Sequence, residues 1–306
     1  MAAQIKMSEE IFDRLTELAG TQTPFFADIW QRSRKEFGEE WMRELVDNVV
    51  RIFGTEEDKG WEAAIRGYAE FSLDNMRHQK YFEQNGRYRW SRLEDIQTRY
   101  YENEEHMMRG YLPGMHLSHY LWPHHFKLLT FFRTQVLPNL NPAPRLFYDV
   151  GIGTGIYSRE TLRHLPQVHG KGFDISRYSV AFTRHSLQAY DVLARYEFVL
   201  GNVFTMNVPL EKADFLVSQE VLEHVEDPAR FLRILHDWVK PEGRAYITAA
   251  INAGLSDHIY LFQSPEEVAA LLEQAGWKIL KGHAEFAYEG MPAELTPAVA
   301  GFFCQR

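Results

Sequence analysis

The run Arg145-Leu-Phe-Tyr-Asp-Val150 is apolar, of strand length, and passes directly into Gly151-Ile-Gly153-Thr-Gly155. Glycines at alternate positions behind a strand permit a tight turn and close approach of backbone N–H groups to a ligand. This is where doubly wound α/β sheets bind nucleotides, at the carboxyl ends of their strands. The spacing also excludes one ligand type. A dinucleotide fingerprint read from Gly151 puts Ile156 in its last slot, where close helix packing asks for glycine or alanine, so pyrophosphate binding is disfavoured.

Hydrophobic periodicity changes across this loop. Upstream, Ser8 precedes an acidic turn, Ile11, Leu15 and Leu18 recur at helical spacing, and Gly20 follows as a stop. The same period returns over 40–53, 61–76 and 126–136, separated by Gly54, Gly86 and Pro113-Gly114, which predicts an all-helical first half. After the proline-bearing stretch 138–144, strands and helices alternate. Strands are expected at 146–150, 170–174, 196–200, 213–218, 243–250 and beyond 277, with helices near 156–164, 178–188, 227–239 and 265–275. That alternation predicts a mostly parallel, doubly wound α/β sheet. Asp227-Pro228 and Ser264-Pro265-Glu266-Glu267 mark two helix starts through a cap residue, an N1 proline and, in the second, a capping-box glutamate. We therefore expect a helical domain over 1–140 and a ligand-binding domain over 141–306.

Asp149-Val-Gly151-Ile-Gly153-Thr-Gly155 resembles motif I of class I S-adenosylmethionine-dependent methyltransferases, and the Rossmann-like fold follows from that resemblance. Three further segments fit the same family in order. Gly172-Phe-Asp174-Ile175-Ser176 supplies an acid at the end of the second strand, where an ionised carboxylate accepts charge-assisted hydrogen bonds from two ribose hydroxyls. Leu200-Gly-Asn202-Val203 stands where the family reads the adenine amino group, and Asn202 can accept that bond. The stretch Ser218-Gln219-Glu220-Val221-Leu-Glu223-His224-Val-Glu-Asp227-Pro228 resembles the segment after the fourth strand, which would line the methionine side. The resemblance thus implies S-adenosylmethionine as cofactor, held by Asp149, Gly151, Gly153, Gly155, Tyr157, Asp174, Ile175, Asn202, Val203, Ser218 and Gln219. It covers about residues 145–288. Taken singly, each feature has a plainer explanation, since a glycine loop also makes turns, Asp174 can cap a helix, and Tyr157 can pack a first helical turn.

Methyl transfer from a sulfonium needs positioning and exclusion of water more than activation. The segment between Tyr111 and Phe126, just upstream of the glycine loop, holds Tyr111, His116, His119, Tyr120 and Trp122, with His124 and His125 behind them. Aromatic faces there can stabilise a cation, and a histidine can act as a general base or polar wall. The alternative is interdomain core. His116 and His119 are three apart and could share a helix side, yet no nearby acid completes a recognised pattern, so no metal is expected. Glu223-His224 is tempting as a pair, but adjacent residues do not face each other on a helix.

A net charge of −9 with no basic stripe argues against a nucleic-acid partner and leaves a small molecule. The charged start and the lack of a long apolar run fit a cytoplasmic location and no membrane. The single cysteine, Cys304, receives no role. Oligomeric state is open. Three functions remain distinct at this point. One is a methyltransferase acting on a small-molecule secondary metabolite. The second is a cyclase in which the ligand's own amine attacks its γ-carbon to give azetidine-2-carboxylate and methylthioadenosine. The third is a non-catalytic binding protein.

Overall fold

In the computed structural model, residues 2–55, 59–207, 211–288, 290, 292 and 296–306 are described. The first half is helical: α1 (Ala2–Gln22), α2 (Asp28–Phe53), α3 (Gly60–Asn85), a single turn α4 (Leu93–Ile96), α5 (Leu112–Leu121) and α6 (Pro123–Phe131). Helix α2 is broken at Gly38, whose φ of 82° is open to glycine at little cost, so the amphipathic stretch expected from residue 40 begins just past the break. Three wide π-type turns, Gln97–Tyr101, His106–Tyr111 and Phe132–Val136, interrupt the helical run. Such turns re-aim side chains and recur at functional sites. The first two carry Tyr101 and Tyr111.

The second half alternates as expected: β1 (Leu146–Val150), α7 (Ile156–His164), β2 (His169–Asp174), α8 (Arg177–Ala189), β3 (Tyr196–Leu200), β4 (Ala213–Ser218), α9 (Pro228–Trp238), β5 (Val239–Ile251), α10 (Pro265–Gln274), β6 (Lys278–Phe286) and β7 (Ala298–Gln305). The strands form one sheet in the order β3-β2-β1-β4-β5-β7-β6. Pairings among β1 to β5 are parallel, and β7 runs antiparallel between β5 and β6. Strand order reverses between β1 and β4, which opens a crevice at their carboxyl ends.

The two faces of the sheet are covered differently. On one, Tyr148, Phe173, Leu216 and Ile247 pack against Leu232, Leu235 and Trp238 of α9 and Leu272 of α10. On the other, Phe147, Phe215 and Tyr246 join an apolar cluster that continues through Phe132 and Leu128 to Tyr120, Leu45 and Trp41. The helical half is thus seated on the sheet through one continuous core, which fixes its position over the crevice.

Candidate active site

The glycine loop forms the floor of the crevice, and its three glycines act differently. A Cβ on Gly151 (φ 79°) would lie 2.3 Å from Val221 Cγ2, and one on Gly155 (φ 72°) would lie 2.4 Å from Thr183 Cγ2. Both therefore serve close packing, and Gly155 also starts α7 in a left-handed conformation. Gly153 (φ 50°) is different: an added Cβ would meet only the end of Met115, at 3.6 Å, so its neighbourhood is open space roofed by the helical half.

That space is a cavity of about 1010 Å³, at the upper end of the range for ligand pockets, about 300–1,000 Å³. Gly151, Gly153, Asp174, Ile175, Asn202, Val203 and Gln219 line it. Asp174 is fixed from both sides, with Oδ1 accepting from Ser176 N at 2.7 Å and Oδ2 from Gly153 N at 3.3 Å. Burial raises its pKa to about 6 against the pull of these bonds. Asn202 turns its own loop, accepting from Phe204 N at 2.9 Å, and its oxygen keeps a second lone pair. Gln219 Nε2 donates to Glu220 Oε1 at 2.8 Å. Glu220 adopts φ 48°, a region that non-glycine residues enter at some strain, and such residues cluster at ligand clamps.

Tyr111, Met115, His119, Trp122, His124 and His125 form the roof. Trp122 stacks on Phe71 with centroids 5.5 Å apart and donates to Tyr68 Oη at 3.1 Å, which locks the indole in place. His119 Nδ1 lies 2.8 Å from Met115 O. A carbonyl can only accept, so Nδ1 carries the proton and Nε2, which has no partner, holds the lone pair. Ser118 donates to Met115 O at 2.8 Å and therefore accepts from His125 Nδ1 at 3.2 Å, which leaves the lone pair of His125 on Nε2. That atom lies 3.9 Å from Glu220 Oε2. Burial lowers the pKa of both rings, well below the usual range for His125, so both are neutral at pH 7.

Six residues named from the sequence stand outside the cavity wall, each for a visible reason. His116 Nε2 donates to Asn48 Oδ1 at 2.5 Å, and its ring packs on Phe53 and Phe182, between the helical half and α8. Tyr120 Oη accepts from Arg159 at 2.9 Å and Asn48 at 3.0 Å, within a charge network that runs from buried Glu160 to the half-buried Arg133 and Glu44. Asp149 accepts from Ser158 Oγ at 2.5 Å behind the loop, and Ser218 Oγ donates to Val150 O at 3.1 Å between strands. Tyr157 is enclosed by Phe132, Tyr246 and His119, and Gly155 packs on Thr183. These six hold the floor and roof in place rather than face the ligand space.

One cluster was not singled out from the sequence. Asp257, in the loop after β5, is wholly buried, and its Oδ2 accepts from Tyr111 Oη at 2.7 Å and Tyr101 Oη at 3.0 Å. Burial alone would raise its carboxyl; His224 and His258 together with the two hydroxyls hold it below the ordinary range. The helical half is thereby pinned to the sheet's carboxyl edge. Further ties run from Leu93 N to Glu226 Oε1 at 2.9 Å, Gly254 N to Gln79 Oε1 at 2.7 Å, and Ser176 Oγ to Tyr101 O at 3.0 Å. The nearest local signal was a polar Ser256-Asp257-His258 run behind an apolar strand.

Antiparallel β7 between β5 and β6, a glycine loop behind β1 and an acid at the end of β2 give the second half of this chain the Rossmann-like fold that its resemblance to class I S-adenosylmethionine-dependent methyltransferases implies. Residues 148–247 match the family described as Methyltransferase domain. Among curated relatives, a ubiquinone biosynthesis O-methyltransferase of Ralstonia nicotianae is 33% identical over 149 residues, covering 42% of this chain and 60% of that protein. Its counterpart in Paraburkholderia phytofirmans is 28% identical over 158 residues, or 51% and 63%. The chain thus spans less than two thirds of the length of these relatives. Two solved structures share the fold over 80% of this chain and 71% of theirs. One is an O-methyltransferase family protein from Burkholderia thailandensis (14% identity, TM-score 0.57), the other the mitomycin 7-O-methyltransferase (16%, 0.56). No described helix is long and apolar enough to cross a membrane.

Proposed function

We propose that this protein transfers a methyl group from S-adenosylmethionine to a small-molecule acceptor bound beneath the helical half, with His125 as the proton acceptor. The observation that carries the reading is the cavity between the glycine loop and the helical half. Its floor is the glycine loop with Asp174, Asn202 and Gln219, and its roof is aromatic rings and neutral histidines. When bound, S-adenosylmethionine supplies a methyl group already activated on a sulfonium. Asp174 would hold the ribose, Asn202 and Val203 the adenine, and the open space at Gly153 the neighbouring part of the chain of atoms. Met115, Trp122 and Tyr111 exclude water from above. His125 Nε2 can take a proton from the acceptor, and the imidazolium so formed sits 3.9 Å from the Glu220 carboxyl.

The cavity's size supports an acceptor beside the cofactor and weighs against intramolecular cyclisation, which needs room for one molecule only. The discriminating experiment is incubation of the purified protein with S-adenosylmethionine alone, followed by mass spectrometry. Intact cofactor, converted to S-adenosylhomocysteine only when small hydroxyl or amine acceptors are added, is the expected result. Enzyme-dependent release of methylthioadenosine from cofactor alone would overturn the methyl-transfer reading. A His125→Gln variant should bind S-adenosylhomocysteine normally and lose about 10²–10⁴-fold in kcat, the range of general-base contributions.

A further inference from the structure

The turn Leu222–His224 behind β4 and the loop behind β5 bring Glu223, His224 and His258 together, with one donor atom from each within 4.8 Å of the others. Their orientation is not left to chance. His258 Nδ1 lies 2.7 Å from Ala253 O, and His224 Nδ1 lies 3.0 Å from Asp257 O. A carbonyl only accepts, so both Nδ1 atoms carry protons and both Nε2 atoms keep lone pairs. Carbonyl or carboxylate partners of this kind are what fixes the tautomer of metal-binding imidazoles. Glu223 is wholly buried. Its backbone oxygen takes the N–H groups of Ile259 at 2.8 Å and Tyr260 at 3.0 Å, and its Oε1 takes Ala250 N at 3.2 Å. Its other oxygen, Oε2, is buried without any partner. Unpaired buried carboxylate oxygens are costly, and Asp257 Oδ1 beside it is in the same condition.

We propose that Glu223, His224 and His258 form a binding site for a divalent first-row transition-metal ion in the wall of the cavity. Two imidazoles and one carboxylate suit such an ion better than Mg²⁺ or Ca²⁺, which prefer an all-oxygen shell. A cation there supplies the missing partner of Glu223 Oε2. It also offsets the repulsion between the Glu223 carboxylate and the neighbouring carboxylates of Glu220 and Asp257. His224 and His258 line the cavity itself, so three protein ligands leave open positions on the cavity side. This part rests on the methyltransferase reading: an acceptor carrying an oxygen would be ligated there and its hydroxyl acidified, which selects oxygen acceptors over amines.

The test uses the full chain stripped of metal by chelator and titrated with Co²⁺ alone and then Zn²⁺ alone. One equivalent of Co²⁺ should bind with a visible d–d spectrum and be displaced by Zn²⁺. Glu223→Gln and His258→Asn should each weaken binding about 100-fold or more, since even disturbing a ligand's support costs about 10–100-fold. Absence of stoichiometric binding to the wild-type protein, or binding unchanged in both variants, would overturn the proposal. Because Glu223 also ties two loops together, the Co²⁺-loaded wild-type protein gives a second reading by NMR. The two carbonyl-bonded Nδ1 protons of His224 and His258 should appear as hyperfine-shifted, slowly exchanging resonances, and fewer than two would refute the site. Titrating S-adenosylhomocysteine into the same samples separates the two readings: loss of that binding with the metal site intact sinks the methyltransferase proposal alone.

Discussion

Acidification should release the nucleoside cofactor from this protein, and the size of the effect follows from Asp174. Ribose hydroxyls facing a carboxylate donate to it, so the ionised form binds and the protonated form loses a charge-assisted acceptor. Burial places the free carboxyl at about 6. Ligand binding that requires ionisation is intact above that pH and lost as pH falls through it, by about tenfold in affinity between pH 7.5 and 5. Calorimetric titration with S-adenosylhomocysteine over that range measures the slope directly. Asp174→Asn supplies the control. It replaces one acceptor oxygen with a donor that faces Ser176 N or Gly153 N, and losing a hydrogen bond to a charged group costs about 1.5–3 kcal/mol, or about 10- to 150-fold in affinity. The variant should be weak and flat with pH. A flat wild-type profile, or a variant that keeps the slope, would refute the assignment. Stability of the ligand-free protein carries the opposite sign from this group: between the unfolded value of 3.8 and about 6 the native state binds more protons, so the contribution declines as pH rises through that window.

Gly153→Val should abolish S-adenosylhomocysteine binding, because its branches enter open cavity space, and should also lower the melting temperature through the strain of a β-branched residue at φ 50°; a tight complex by calorimetry would sink the loop assignment. Replacing both Tyr101 and Tyr111 by Phe removes two donors from a buried carboxylate, and hydrogen exchange over 97–121 should rise at least tenfold, with unchanged protection counting against the pinning role. Arg159→Met removes the buried guanidinium that donates to Glu160 and Tyr120 while Arg133 and Arg163 still face Glu160, and should lower unfolding free energy by about 1.5–3 kcal/mol in denaturant titration, whereas a neutral result would mean that Arg133 and Arg163 suffice.

Local chemistry explains which parts were readable in advance. The two marked helix starts are in place, with Arg230 N on Asp227 Oδ1 at 2.8 Å and Glu267 N on Ser264 Oγ at 3.3 Å, because a cap and its partner lie within one turn. The strands read well because a buried parallel sheet writes continuous apolar runs. Helix α5 was opaque for the converse reason: nearly every residue in it is buried, so periodicity carries no face, and His116 and His119 end in different surroundings despite their spacing. Asp257 meets tyrosines 146 and 156 positions away, and nothing near it in the chain announces those partners. The functions of the glycine positions were legible as a group but not singly; only neighbours such as Thr183 and Val221 separate packing glycines from the one that faces open space.

The ties from Asp257, Glu226 and Gln79 have a kinetic consequence. A chamber whose floor and roof come from opposite halves of the chain widens only when those halves part, and the same bonds must break whatever molecule is inside. Widening then proceeds at a pace set by the protein, so ligands too large for the existing mouth should share one ceiling on their rate of entry.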